Sequence, residues 1–237
     1  MTLAQATVLI AALAGQLQSV SSAWPAEVVA RDYRITEIQA RPDSSQAAER
    51  TRQLVDEIVK ASYPELNGAD IRVEVFRSKS DYFKARFGIP QFFFGRIRYL
   101  VFVNPRVFEL QAPPEGLRAI LAHELGHVLY YRRKGRVRLL GLARLGSKRF
   151  TARFERWADL QAISRGYGPG LGEYRRWLYQ NVLPAKLEEK RRNYFSPEEI
   201  DAVSSALQKQ PALFEYWLKR VPRNLKEIQE GDGSGRR

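Results

Sequence analysis

Cysteine is absent from the 237-residue chain, and histidine occurs only twice. The missing cysteines exclude disulfides, zinc ribbons and cysteine nucleophiles. Any metal site must therefore be built from the two histidines and from carboxylates.

Acidic residues are scarce beside basic ones, with 26 Asp+Glu against 39 Lys+Arg and a net charge of +13. Such a field favours anionic surroundings, such as phospholipid headgroups, cell-wall polymers or nucleic acid. A basic surface of solvated arginines is an equally good interpretation. Hydrophobic residues make up 44% of the chain, which is enough for one sizeable core.

Long hydrophobic runs are also missing, and nothing beyond residue 23 approaches the roughly 18 apolar residues of a membrane span. Residues 1–23 are uncharged except for the terminal amine, carry a short apolar run at 8–14, and end in small residues, Ser21 and Ala23. This pattern predicts a signal peptide and export to the periplasm or the medium. The lack of Lys or Arg near the start leaves an uncleaved membrane anchor or a plain N-terminal helix as alternatives.

The rest of the chain divides into an irregular lead-in (24–45), a folded domain (46–226) and a flexible tail (227–237). Hydrophobic periodicity and caps predict helices at 46–61, 81–87, 114–134, 150–166, 171–181, 184–193, 196–209 and 211–221. Alternation of apolar residues predicts strands at 71–76 and 98–103. Two strands before a long helix, with helices after it, indicate an α+β fold.

Both histidines lie in the long predicted helix, in the sequence His123-Glu124-Leu125-Gly126-His127. Four residues of spacing place the two rings on one face, where they can share a zinc ion at about 2.0–2.1 Å. Glu124 is about 100° further round the helix, beside the metal, where it could accept a proton from a water molecule. Two hydrogen-bonded core histidines are the alternative, but an unpaired imidazole in so apolar a helix costs free energy.

A catalytic zinc ion usually has three protein ligands and one open position. With no third histidine, the third ligand must be Asp or Glu, and the best candidate is Glu155, four residues before Asp159 on a predicted helix. Asp159 could accept a hydrogen bond from a ligand imidazole. Taken alone, this pair is typical of a solvated helix face.

The motif at 123–127, followed by Glu155-x-x-Ala158-Asp159-x-x-Ala162 and then Gly166-Tyr167, resembles the gluzincin metallopeptidases. The resemblance covers mainly residues 97–167. It is nearest to small, soluble relatives of the CAAX-prenyl endopeptidases and heat-shock membrane peptidases, although the membrane members carry several transmembrane helices.

The resemblance implies a zincin-like fold, with a small mixed sheet packed on the motif helix and a mostly helical C-terminal part. It implies one Zn²⁺ per chain, bound by His123, His127 and Glu155. Glu124 would be the general base and Asp159 the partner that orients a ligand.

The resemblance further implies that the strand before the motif helix binds substrate as an added β-strand. Here that strand comprises Tyr99, Leu100, Val101, Phe102 and Val103. No motif identifies the residue that stabilises the oxyanion. Tyr167 is the candidate, with Arg165 and Tyr174 as other residues nearby in sequence.

Between the two halves of the motif, the segment 132–149 interleaves basic residues with leucines. Contact with an anionic membrane or cell-wall surface is one interpretation, and a solvated loop and helix face is the other. No specific nucleic acid partner is expected.

These features together predict a zinc metallopeptidase, of the metalloendopeptidase kind, that acts on a peptide or protein substrate. One alternative is a catalytically inactive, zincin-like, basic binding or adaptor protein at an anionic envelope surface. Another is a DNA-associated intracellular protease, which the missing cysteines and the N-terminal segment disfavour.

Overall fold

The structure is a computed structural model that describes residues 42–88, 97–139 and 147–231, with side chains from residue 44 onward and, in the second range, up to residue 134. The predicted signal peptide, most of the predicted lead-in and the last six residues lie outside these ranges.

Helices dominate the described residues and are numbered here in chain order. The α-helices are α1 (Pro42–Ser62), α2 (Arg106–Glu109), α3 (Pro114–Leu139), α4 (Lys148–Ala162), α5 (Gly168–Asn181), α6 (Pro184–Asn193), α7 (Pro197–Lys209), α8 (Leu213–Lys219) and α9 (Leu225–Glu230). A short 3₁₀ helix (Pro64–Leu66) follows α1, and a π-helical turn (Ile163–Tyr167) joins α4 to α5.

Three strands form one mixed sheet: β1 (Asp70–Val75), β2 (Phe83–Phe87) and β3 (Arg98–Val103). The strand order is β1-β3-β2, with β1 parallel and β2 antiparallel to β3. Tyr99, Val101 and Val103 alternate with less buried residues along β3, as the strand period of two requires. The predicted α+β class is confirmed.

The prediction of a helix at 81–87 is wrong, because this segment contains β2. Its apolar residues Phe83, Ala85 and Phe87 alternate with Lys84 and Arg86, and all five pair with β3. Cross-strand pairing outweighs the intrinsic helix preference of Lys, Ala and Arg.

Helix α3 is the centre of the domain and packs on α1, α4, α5 and β2. Its apolar residues are buried nearly all round, from Leu117 to Tyr131, which is typical of a core helix. The helix continues to Leu139, five residues beyond the predicted end.

The C-terminal half is helical, as predicted, and packs on α3 mainly through α4 and α5. Ser196 and Glu199 form a capping box at the start of α7, each side chain bonding the other's backbone N–H. Helix α1 begins at Pro42, inside the predicted lead-in, and α9 occupies the first part of the segment predicted as a flexible tail.

Among the described helices, none combines the length and the hydropathy that crossing a membrane requires.

Candidate metal centre

The two histidines lie one turn apart on α3, with side chains that are 1% and 5% exposed. Their Nε2 atoms are 3.1 Å apart. The helical spacing therefore aims both rings at one point, as four-residue separation requires.

Helix α4 brings Glu155 to that point, because Gly126 allows α3 and α4 to approach closely. A Cβ atom at Gly126 would lie 3.3 Å from the Cα and carbonyl oxygen of Ala158. Oε2 of Glu155 lies 3.1 Å from Nε2 of His127 and 3.3 Å from Nε2 of His123.

The three side chains fit a metal ion by geometry and by chemistry. Ligand atoms at about 2.0–2.1 Å from a tetrahedral zinc ion are separated by about 3.3–3.4 Å. The observed separations of 3.1, 3.1 and 3.3 Å are close to this value. His123, His127 and Glu155 could therefore hold one metal ion.

Asp159 holds His123 in one orientation. Its Oδ1 accepts a hydrogen bond from Nδ1 of His123 at 2.7 Å, which directs the Nε2 lone pair of the same ring toward the candidate metal position. Burial lowers the pKa of His123, but the Asp159 carboxylate, with Glu155 and Glu124, outweighs burial and raises that pKa to about 10. The site therefore favours positive charge at this ring, from a proton or from a metal ion.

Asp159 is fully buried and is itself held by two further donors. Nη2 of Arg175 donates to Oδ1 at 3.0 Å, and the backbone N–H of Phe195 donates to Oδ2 at 3.0 Å. Burial raises the pKa of Asp159, but Arg175, His123 and the Phe195 backbone N–H together outweigh burial and hold that pKa below its usual range. Asp159 is therefore a carboxylate that accepts the His123 proton as a hydrogen bond.

Glu124 lies beside the three converging side chains and does not belong to the triad. Its side chain is buried, and its Oε2 has no hydrogen-bond partner among the described residues. Burial raises the pKa of Glu124, although the two imidazoles oppose this effect. A carboxylate with a raised pKa is the more effective proton acceptor near neutral pH.

A cleft of about 390 Å³ opens onto Glu124, His127 and Glu155. Strand β2 forms one wall through residues 83–86, and the end of α6 with Tyr194 forms another. The candidate metal position is thus reachable from solvent.

Tyr194 is a cleft residue that no sequence motif identified. Its ring centroid lies 5.8 Å from that of His123, and the Arg175 guanidinium lies 4.4 Å from the Tyr194 ring centroid. Burial raises the pKa of Tyr194 well above its usual value, so the phenol stays protonated. No local sequence pattern identifies Tyr194 or Arg175, because both reach the site only through the packing of α5 on α3 and of α6 on α4.

The residues considered for the oxyanion lie elsewhere. The Tyr167 hydroxyl hydrogen-bonds Ser62 at 2.9 Å, because the chain turns at Gly166, which has a φ of 89°. Arg165 donates to the Ser62 carbonyl, and Tyr174 is buried against Phe83. None of these three candidates lines the cleft.

The predicted substrate strand also needs correction. Tyr99 to Val103 form the central strand β3, and both edges of β3 are already paired, with β1 and with β2. An added strand cannot pair there. The strand that borders the cleft is β2.

The basic segment 132–149 is described only in part. Arg133 forms an ion pair with Glu65 at 3.3 Å, and the Lys134 ammonium lies 5.3 Å from the centre of the Tyr130 ring. Residues 140–146, which include three of the segment's four leucines, lie outside the described ranges. Contact with an anionic surface stays a prediction.

The chain matches no protein-family model, no curated protein and no solved structure.

Proposed function

We propose that this chain is a zinc-dependent peptidase with a zincin-like site in which Glu124 is the general base. The proposal rests on one observation. Ligand atoms of His123, His127 and Glu155 converge on one point, and the buried carboxyl group of Glu124 lies at the same cleft. A structural site alone would not explain why Glu124 is buried without a hydrogen-bond partner for Oε2.

Zinc is the metal that the donor set suits best. Two imidazole nitrogens and one carboxylate oxygen are ligands of catalytic zinc, and three protein ligands leave a position open for water or substrate. Structural zinc sites are normally closed by four protein ligands.

Zinc bound at such a site acidifies water and polarises a substrate carbonyl. Glu124 would take the proton of the attacking water as the C–O bond forms. It would then deliver that proton to the amine nitrogen as the C–N bond breaks. Asp159 supports both steps by keeping His123 in the orientation that binds the metal.

Tyr194 supplies the hydrogen-bond donor that the mechanism needs for the developing oxyanion. Tyr194 lines the same cleft as Glu155 and His127, and its phenol stays protonated. Arg175 contacts both the Tyr194 ring and Asp159, so one buried guanidinium positions both groups.

The Glu124→Gln variant tests the proposal, because the amide keeps the shape of the side chain and cannot accept the proton. We expect peptide hydrolysis to fall by about 10²–10⁴-fold, with zinc content unchanged because Glu124 is not a ligand. The measurement is digestion of a peptide library, with and without a chelator. Hydrolysis that survives in Glu124→Gln would refute the assigned mechanism.

Glu189→Gln is the matched control, since Glu189 lines the same cleft but is half-exposed and paired with Lys186. Its activity should match that of the unmodified protein. An inactive adaptor, the alternative reading of the sequence, would bind zinc and hydrolyse no peptide in any of these variants.

A further inference from the structure

A second cleft, of about 590 Å³, lies next to the candidate metal centre. We call it the basic groove. Helix α4 lines it with Lys148, Arg149 and Arg153, α6 with Arg192, and the segment 219–223 forms the far side. Of its eleven lining residues in the described part of the chain, eight are Lys or Arg and none is Asp or Glu.

Most of this positive charge has no carboxylate partner. Arg156 faces Glu199 at 3.4 Å, and Arg223 pairs with Glu227 at 2.7 Å. In the part of the chain that the structure describes, the other six cationic residues form no ion pair with a carboxylate. A groove with low-dielectric walls that is lined by positive charge concentrates anions.

The walls of the groove are tied together by hydrogen bonds. Nη2 of Arg153 donates to the Lys219 carbonyl at 2.8 Å, and Nη1 of Arg156 donates to the Pro222 carbonyl at 3.5 Å. The groove therefore exists before a ligand arrives, which lowers the ordering cost of binding.

The groove is continuous with the cleft at the metal centre, because Lys148 and Arg192 line both. A chain that binds across Glu124 and His127 would pass between these two residues into the basic groove. A flat membrane surface would meet the exposed rim of a concave site rather than its walls.

We infer that the basic groove binds an acidic segment of the polypeptide substrate, next to the bond that is cleaved. This inference rests on the proposed peptidase function for its placement of the scissile bond. The recognised chemistry is a run of Asp or Glu side chains on an extended peptide.

The test measures binding separately from hydrolysis. The Glu124→Gln protein is titrated by fluorescence anisotropy against labelled peptides that share a neutral half and differ in the other half, Asp/Glu-rich or Asn/Gln-rich. The groove variant adds Arg149→Glu and Lys219→Glu, two exposed residues that line only the groove. The control adds Lys60→Glu and Lys209→Glu, which make the same charge change at exposed residues of α1 and α7 that do not line the groove.

We expect the acidic peptide to bind at least about tenfold more tightly than the neutral one, with a preference that weakens in high salt. The groove variant should lose this preference and the control should keep it. Equal binding of both peptides, or a preference that survives in the groove variant, would overturn the inference. So would groove-dependent binding of anionic phospholipid vesicles that the acidic peptide does not displace.

Hydrolysis of a neutral peptide by the unmodified protein reports on the proposed function alone. If neutral and acidic peptides are hydrolysed equally well, the inference about the groove fails and the proposed peptidase function stands. If acidic peptide binds through the groove but no peptide is cleaved, the peptidase fails and the groove remains a site for acidic polypeptide.

Discussion

Asp159 is fully buried and serves three partners at once: His123, Arg175 and the backbone of Phe195. His127 has no such support, since its Nδ1 finds no hydrogen-bond partner among the described residues. The two histidines are therefore not equivalent. His123 is fixed by a carboxylate, whereas His127 is held by packing against Phe154, with ring centroids 4.4 Å apart.

Tyr194→Phe removes the hydroxyl that we assign to the oxyanion and leaves the ring in place. We expect kcat to fall by about 10²–10³-fold, as for loss of one oxyanion donor, with little change in zinc affinity. Steady-state kinetics on one peptide, with chelator titration for zinc, measures both.

Tyr167→Phe is the matched control, because its hydroxyl bonds Ser62 away from the cleft. It should leave kcat unchanged. If Tyr194→Phe keeps full activity, another group stabilises the oxyanion.

At the scale of elements, the candidate metal centre depends on how closely α4 lies against α3. Gly126→Ala would place a Cβ atom 3.3 Å from the Ala158 backbone. A buried backbone cannot move away from the new methyl group as easily as the end of a flexible side chain can. We expect a loss of about 1–3 kcal/mol in the free energy of unfolding, and weaker zinc binding because Glu155 moves with α4.

Gly172→Ala on α5 is the control, since its nearest neighbour is the Arg176 side chain end at 3.7 Å. Helix propensity there favours alanine by up to about 1 kcal/mol. Urea unfolding and competitive zinc titration compare the two variants. Equal free energies of unfolding for Gly126→Ala and Gly172→Ala would contradict this prediction, because they would show that the contact between α3 and α4 relaxes around the added methyl group.

The ion pair between Asp81 and Lys190, at 2.7 Å, ties the turn before β2 to α6. Burial raises the pKa of Asp81, but the charge and hydrogen bond of Lys190, with smaller effects from Lys84 and Ser80, together outweigh burial and hold that pKa below its usual range. The folded state thus binds the Asp81 proton more weakly than the unfolded state does. The pair stabilises the fold above the unfolded pKa of about 3.9, and this contribution disappears as the pH falls through the folded pKa.

Asp81→Asn should therefore destabilise the protein at pH 7 and matter less near pH 3. The loss should stay below about 1 kcal/mol, because the Asp81 side chain is 46% exposed. Urea unfolding of both proteins across this pH range provides the test. A difference in stability that does not change with pH would contradict the pairing.

Some elements could be predicted from local sequence, and others could not. The strand at 98–103 and the helix starts near Pro114, Pro184 and Pro197 follow from alternation, proline and capping residues. Strand β2 has only five residues, which is too short for its alternation of apolar and basic side chains to outweigh the helix preference of Lys84, Ala85 and Arg86. Only its pairing with β3 decides the conformation.

At the scale of the whole molecule, part of the candidate site could be predicted from the sequence and part could not. His123 and His127 could be paired from their spacing, because helix geometry fixes which residues share a face. Glu155, on another helix, was the best candidate for the third ligand because the chain has no third histidine and Glu155 lies four residues before Asp159. Tyr194, Arg175 and the basic groove could not be predicted, since they assemble from segments distant in the chain. The net charge of +13 is compatible with an anionic partner or with solvated arginines, and Lys148 and Arg149, at the end of the segment 132–149 considered for anionic contact, line the groove.

Zinc content tests the central claim most directly. Elemental analysis of the purified protein should give about one zinc per chain, and Glu155→Ala should lose it on dilution into weak chelator while Glu189→Ala keeps it. Absence of zinc, or another metal such as iron in its place, would contradict the account, as would undiminished zinc in Glu155→Ala.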